Sequence, residues 1–292
     1  MTHGTIVRLC AASMMAGTLL VSAQERLPSE PFRQFGNSVT GAFEGWFDNP
    51  DGSHSFLLGY LNRNTAEELD VPIGPNNRIE PGGPDRGQPT HFLTGRQHGM
   101  FIVTVPKSFT AQDKLTWTLV ANGQPTSIPL RMHPDYIVSP FTDVAVGNTP
   151  PVLRFDERGP TIQGPLAKVE SAPARTATAG APLGLTVWPS DDGKFASPTM
   201  AIPKKLPPPI ELFWSKYRGP GAVKFEPAAP ALEILSGGAV NAPVSGKATT
   251  TATFGAPGEY VLHVRVLDYS GLGTSGEVCC WTTAVMKVTV TP

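Results

Sequence analysis

Cysteine is scarce in this chain, helical periodicity is nearly absent, and the charges almost cancel. The three cysteines are Cys10, Cys279 and Cys280. Two adjacent cysteines cannot build a conventional disulfide framework without a third or a partner chain. The formal net charge is −1, so no long-range field draws the protein to nucleic acid or to an anionic membrane, and neither is expected as a partner. Long apolar runs are also missing. The longest, LCAASMMAGTLLV at 9–21, has 13 residues, short of the ~20 a bilayer core requires. It follows the weakly basic MTHGTIVR and precedes the small residues VSA, the three-part layout of a secretory signal. Residues 1–23 are therefore expected to be a signal peptide, cleaved after Ala23. The mature chain is expected to be exported, periplasmic or extracellular, without a membrane span. There is no G-x-S-x-G, no H-E-x-x-H and no P-loop, and no cofactor is implied.

What the chain has instead is turn formers and a period of two. Thirty glycines and 31 prolines accompany 40% hydrophobic residues, enough apolar surface for a core divided among short strands. In GAFEGWFDNPDGSHSFLLGYLN (41–62), two aromatic-rich runs flank the turn Asn49-Pro50-Asp51-Gly52, which predicts a hairpin. GMFIVTVPKSF (99–109) reads as a buried strand ended by Pro106. In KLTWTLVANGQPTSIPLRM (114–132), Leu115, Trp117, Leu119 and Ala121 share one face. Asn122-Gly123 suits a type I′ turn, and Pro129 confines the return strand to a sheet edge. NTAEELDV (64–71) predicts one or two helical turns with Thr65 as N-cap. Between the hairpins, residues 72–98 read as a long ordered surface loop.

VGNTPPVLRF (146–155) predicts a stiff joint, because residues before proline are held extended. The expected organisation is a linker at 24–35, an N-terminal β domain at 36–142, a proline-rich linker at 143–158 and a second domain at 159–292. Strands are expected in AKVES, PLGLTVWPSDDG, IELFWSKYRG, AVKFEP, KATTTATF, EYVLHVRVLD and AVMKVTV. AGAPLGLTVWPSDDG, a strand with Trp214, TTATFGAPGEYVLHVRVLD and the terminal MKVTV together resemble the PKD and cadherin-like group of immunoglobulin-type domains. The matching positions are Asp191, Asp192, Gly193, Trp214, Phe254, Pro257, Gly258 and Tyr260. The chain departs from that pattern in KFASPTMAIPKKLPPPI (194–210) and SGLGTSGEVCC (270–280). The N-terminal half resembles exported bacterial proteins of unassigned activity. The fold class expected is all-β, with two β-sandwich domains, the second immunoglobulin-like.

Candidate chemistry is sparse. Gly271 to Gly276 matches G-x-G-x-x-G, but no helix pattern follows to hold a pyrophosphate. Three readings of Cys279 and Cys280 stay open. They are two thiols on opposite faces of a strand with Cys280 inward, a vicinal disulfide, or metal ligands. His91, His98 and His54 sit where hairpins could bring them together. His263 is expected to face solvent or a neighbouring sheet. Calcium near Asn148, Asp191, Asp192 and Asp268 is a question the cadherin-like resemblance raises, although those residues also suit a plain turn. Trp46 and Trp117 are candidate sugar-stacking rings or core. The polar set Asn62, Arg63, Asn64, Asp85, Arg86, Gln88, His91 and Arg96 would suit carboxylates, sugars or a peptide. The reading is an exported, non-enzymatic binding or interaction protein with an unknown protein or glycan partner. The alternatives are an accessory carbohydrate-binding protein and a hydrolase with an unrecognised site.

Overall fold

The computed structural model describes residues 31–144, 146–194, 207–270 and 279–292. The expected signal peptide at 1–23, most of the expected linker at 24–35, most of the insert at 194–210 and the G-x-G-x-x-G run lie outside the described residues. The N-terminal half contains β1 (Val39–Asp48), β2 (His54–Asn62), β3 (Leu69–Asp70), β4 (Asn77–Glu80), β5 (His91–Phe92), β6 (Gly95–Val105), β7 (Leu115–Ala121) and β8 (Gln124–Leu130). The C-terminal half contains β9 (Val152–Arg154), β10 (Ile162–Gln163), β11 (Ala174–Thr178), β12 (Pro182–Asp191), β13 (Glu211–Arg218), β14 (Val223–Glu226), β15 (Glu233–Gly237), β16 (Val244–Phe254), β17 (Gly258–Leu267) and β18 (Trp281–Thr291). The one helical piece among the described residues is a 3-10 turn at Pro134–Tyr136. The protein is all-β.

In the N-terminal half, the sheet β1-β2-β6 covers the sheet β4-β7-β8. Strict alternation places Leu115, Trp117, Leu119 and Ala121 of β7 in the core between them. Asn122 and Gly123 both have positive φ, the requirement of a type I′ turn. β8, with Pro125 and Pro129, lies at the sheet edge, where a missing N–H breaks no ladder. The predicted helix at 64–71 does not form. Leu69 and Asp70 pair with Phe92 and His91 instead, because the acidic residues there find tertiary partners on β5. Residues 72–98 are not one loop either: β4 joins the β7 sheet, and β5 and the start of β6 follow.

The C-terminal half is a second sandwich. The sheet β11-β18-β17-β13 packs on a larger sheet in which β10-β9-β12-β16-β14 run side by side and β15 also pairs with β16. Leu212, Trp214, Tyr260, Leu262, Val264, Ala284, Met286 and Val288 fill the space between them, with Val187, Ala252 and Phe254 opposite. β11 runs parallel to β18. AKVES (167–171) is not a strand; β11 begins at Ala174.

β17 and β18 are buried along nearly their whole length instead of alternating. Their even-numbered residues face the second core. Their odd-numbered residues meet the N-terminal half: Val261 and Val285 join the first core, and Leu267 and Trp281 pack on Phe47, Leu57 and Ile102. The two sandwiches thus share one sheet face, and Phe32–Pro292 form one unit. Gly99 of β6 makes close approach possible there. Its φ is +50°, and a Cβ would collide with the indole of Trp281. Gly99→Ala should therefore lower stability by about 2–4 kcal/mol, the sum of a strained backbone and overpacking. Urea denaturation measures this, and an unchanged midpoint would contradict the described seam.

Candidate functional site

Most of the hydrogen-bonding capacity of the sequence-derived polar set is already used, chiefly within the N-terminal half, with Asp85 reaching the second sandwich. Asn62 and Asn64 are buried. Asn62 Nδ2 donates to Glu67 O and Phe92 O, and its Oδ1 accepts from Asn64. Asn64 closes a reciprocal pair of bonds with the backbone of Asn37. Arg63 donates to Thr40 Oγ1 at 2.5 Å. Arg96 bonds Glu44 at 2.6 Å and the carbonyls of Tyr60 and Gln97. Glu44 also accepts from Gly99 N–H at 2.8 Å. Burial nevertheless raises its pKa, outweighing Arg96 and Gly99.

Asp85 makes a bidentate pair with Arg218 of β13, at 3.0 and 2.9 Å. Arg218 also holds Gln88 O, and Tyr217 donates its hydroxyl to Gly87 O at 2.6 Å. Thr90 N–H bonds Tyr217 O. The stretch 85–90 is therefore strapped to the edge of the second sandwich. Gln88 is buried and donates to Pro84 O, while accepting from Arg86 N–H. Arg86 donates its side chain to Pro81 O. Asp85, Arg86 and His91 do not converge on a common point through any hydrogen bond.

His91 lies between Asp70 on Nδ1 and Glu68 on Nε2, at 3.0 and 3.1 Å. Burial lowers its pKa, but the two carboxylate hydrogen bonds outweigh that, and the net shift is upward. Asp70 also accepts from Lys216 Nζ at 3.0 Å. His54 pairs with Asp48, and His98 lies near Glu44, so the three histidines do not assemble. Trp46 and Trp117 are core residues, 8% and 1% exposed. Their indole N–H groups are satisfied by His133 O and Asn77 Oδ1. Neither presents a ring face to a sugar, which corrects that expectation. Sequence reasoning also missed Asn77, a buried amide that ties Val71 O and Pro89 O together.

Among the described residues, a concavity of about 840 Å³ runs along edge strand β13, between the halves. Glu68, Asp70 and His91 line one end, Gln97 and Met100 the N-terminal wall, and Phe213, Ser215, His263 and Arg265 the shared sheet face. His263 and Arg265 are two residues apart on β17, so both point from the same face. His263 is 2% exposed and stacks on Tyr217 with an interplanar angle of 17°. Burial and the Arg265 charge push its pKa down to about 3, so the imidazole is neutral. Arg265 donates to Gln97 Oε1 at a long 3.4 Å and lies over the Phe213 ring at 5.7 Å. Half-buried, it has a lowered pKa through desolvation, and no carboxylate stands within ion-pair distance of it among the described residues. Among those residues, His263 Nε2, Arg265 Nε and Trp214 Nε1 have no hydrogen-bond partner. The signal in the sequence was the pair of polar residues on one face of an otherwise apolar strand, YVLHVRVL.

No known family matches this chain. No curated protein matches it either. Among solved structures, a similar chain is the crystal structure of the S-layer protein SbsC domains 4 and 5. It is 11% identical, with 88% of this chain covered and 98% of that one, at a TM-score of 0.19. Overlap that poor carries no argument.

The cysteine pair is joined by a disulfide. β18 starts at Trp281, so strand alternation does not extend to the pair, and both cysteines are buried. This corrects the expectation of one inward and one outward thiol. The acidic residues near the joint are turn and anchor groups. Asp191 accepts from Gly193 N–H at 2.7 Å, Asp192 from Thr149, and Asp268 from Asn148 at 2.6 Å and from Ser270. Among the described residues no group of three or more His, Cys, Asp or Glu is placed to hold a metal ion. Nor is any described helix long and apolar enough to cross a membrane.

Two outcomes follow from these contacts. Arg218→Ala should speed hydrogen exchange at the Thr90 amide and cost about 1–3 kcal/mol, because Asp85 and Gln88 O lose their donor. Exchange unchanged at Thr90 would show the strap to be held otherwise. Burial pushes Asp191 up to about 7, so the folded state binds the extra proton and stability falls as pH rises from about 4 through 7. Asp191→Asn keeps the acceptor for Gly193 and removes the charge. It should raise stability at pH 8 by a few kcal/mol, at roughly 1.4 kcal/mol per pKa unit, and change little at pH 4. Thermal melts at the two pH values decide it.

Proposed function

We propose that this chain is an exported, non-enzymatic binding protein whose ligand enters the cleft between its two sandwiches. The observation that carries this reading is the cleft itself, about 840 Å³ and lined by both halves. Its walls are strands β6, β13, β14 and β17 with the turn at 220–222, a frame suited to a preformed pocket. Within this reading, the polar residues at 62–64 and Arg96 brace the N-terminal half, and the stretch 85–90 ties that half to β13 through Tyr217 and Arg218. Residues 159–292 fit an immunoglobulin-like role as a docking frame. In support of that likeness, Tyr260 donates its hydroxyl back to Ala256 O at 2.8 Å, as in a tyrosine corner.

A carbohydrate-binding role is the second reading. It draws on Phe213, a ring 38% exposed at the cleft, in place of the buried tryptophans. A hydrolase has less support. Both ring nitrogens of His91 face carboxylates, so neither is left to take a proton from a nucleophile.

The test uses the mature chain and a variant, Ala222→Trp, that places an indole at an exposed position on the cleft lining. Glycan arrays and saturation-transfer NMR with small-molecule mixtures should find a ligand bound by the wild type and recovered unaltered. Ala222→Trp should lose it at least tenfold, while Arg86→Ala should not. A ligand indifferent to Ala222→Trp removes the cleft from consideration, and a ligand recovered cleaved favours the hydrolase.

A further inference from the structure

We propose that the cleft binds a carboxylate-bearing small molecule, with Arg265 as the anchor for the carboxylate and the Phe213 ring as the platform for the rest. This rests on the cleft being the binding site. Arg265 projects from the middle of β17, where Phe213 is its direct cross-strand partner. The pairing fixes a cation beside an aromatic face on one rigid sheet. Gln97 contributes an amide from the opposite wall, 3.4 Å from the guanidinium.

The charge inventory selects an anion. The other lysines of the cleft are paired, Lys216 with Asp70 and Lys224 with Glu226, and the carboxylates of Glu68 and Asp70 are hydrogen-bonded to His91. Arg265 is the cation left over among the described lining residues. It has one long bond to a neutral amide, its Nε is buried and unbonded, and its ring contact with Phe213 replaces only part of its hydration. A partly desolvated guanidinium without a counter-ion carries a cost, and a carboxylate arriving from solvent supplies that counter-ion with a bidentate geometry. The field of Arg265 also falls on its neighbours. With burial, it holds His263, its neighbour on β17, down to about 3. That imidazole is therefore neutral at pH 7 and adds no competing charge. The surrounding Met100 and Phe225 are apolar, so the body of the ligand is a ring, either an aryl group or the face of a sugar.

The experiment titrates the mature chain by calorimetry with three carboxylates: benzoate, phenylacetate and D-glucuronate. Each is paired with its neutral counterpart: benzamide, phenylacetamide and D-glucose. At least one carboxylate should bind with 1:1 stoichiometry, at least tenfold tighter than its neutral partner, the factor expected of a charge-assisted hydrogen bond. The arm that binds tells an aryl acid from a sugar acid. Arg265→Gln should abolish the preference for the charged member, Arg265→Lys should retain part of it, and Ala222→Trp should remove all binding. Circular dichroism and melting temperature establish that each variant is folded. If neutral members bind as tightly as carboxylates and lose binding on Ala222→Trp, the anion assignment fails while the cleft stands. If carboxylates bind equally to wild type and Arg265→Gln, Arg265 is not the anchor. If none of the six binds, the proposal is overturned, and the wider screen described above still judges the cleft.

Discussion

The sheet formed by β11, β18, β17 and β13 is covered on both faces, and most of what is distinctive about this protein follows from that. One face completes the second sandwich through Leu262, Val264, Met286 and Val288. The other receives the first sandwich through Val261, Val285, Leu267 and Trp281. Burying apolar area on both sides favours association at roughly 25 cal/mol per Å². It also removes water from most polar groups in the middle of β17 and the start of β18. Tyr217, His263, Arg265 and Thr283 lie on this buried face, and each has to find a partner or bear the desolvation. Tyr217 finds Gly87 O. His263 Nε2, Arg265 Nε and Thr283 Oγ1 do not.

That division separates the structural polar residues from the functional candidates. Across the seam, Asp85 meets Arg218 and Asp70 meets Lys216, both cations supplied by β13. Such pairs set the register between two apolar surfaces that could otherwise slide. The opposite situation holds on the neighbouring strand β17, where no described carboxylate pairs with Arg265 beside the cleft. Matched charges join the sandwiches, and the unmatched one is the basis of the proposal for the cleft.

The hairpins were legible because their signals are local. Asn122-Gly123 can adopt positive φ, Pro129 cannot donate, and Leu115 to Ala121 alternate, so β7 and β8 follow from covalent chemistry and one buried face. The run at 64–71 carries a good helix start, yet Leu69 and Asp70 form a strand with partners more than twenty residues away. Glu68 and Asp70 face His91, a pairing that no local window contains. The polar candidates do not share one site: Asn62 and Asn64 bond within their own half, and the partner of Asp85 on β13 is 133 residues distant, so its bridging role could not be inferred from type and spacing. Trp117 was expected in the core, with a sugar platform as the alternative, and its burial and the bond of its N–H to Asn77 place it in the core.

By itself, the sequence determined that this is an all-β chain, where its main hairpins turn, and which strand must lie at an edge, because these depend on φ preferences, missing donors and a two-residue period. Only the tertiary structure decided which strands are buried twice, which charges are paired, and where the cleft opens. Those outcomes depend on which surface meets which. That is set by burial summed over residues far apart in the chain, and a polar residue on a strand carries no mark of whether water or a second sandwich will cover it.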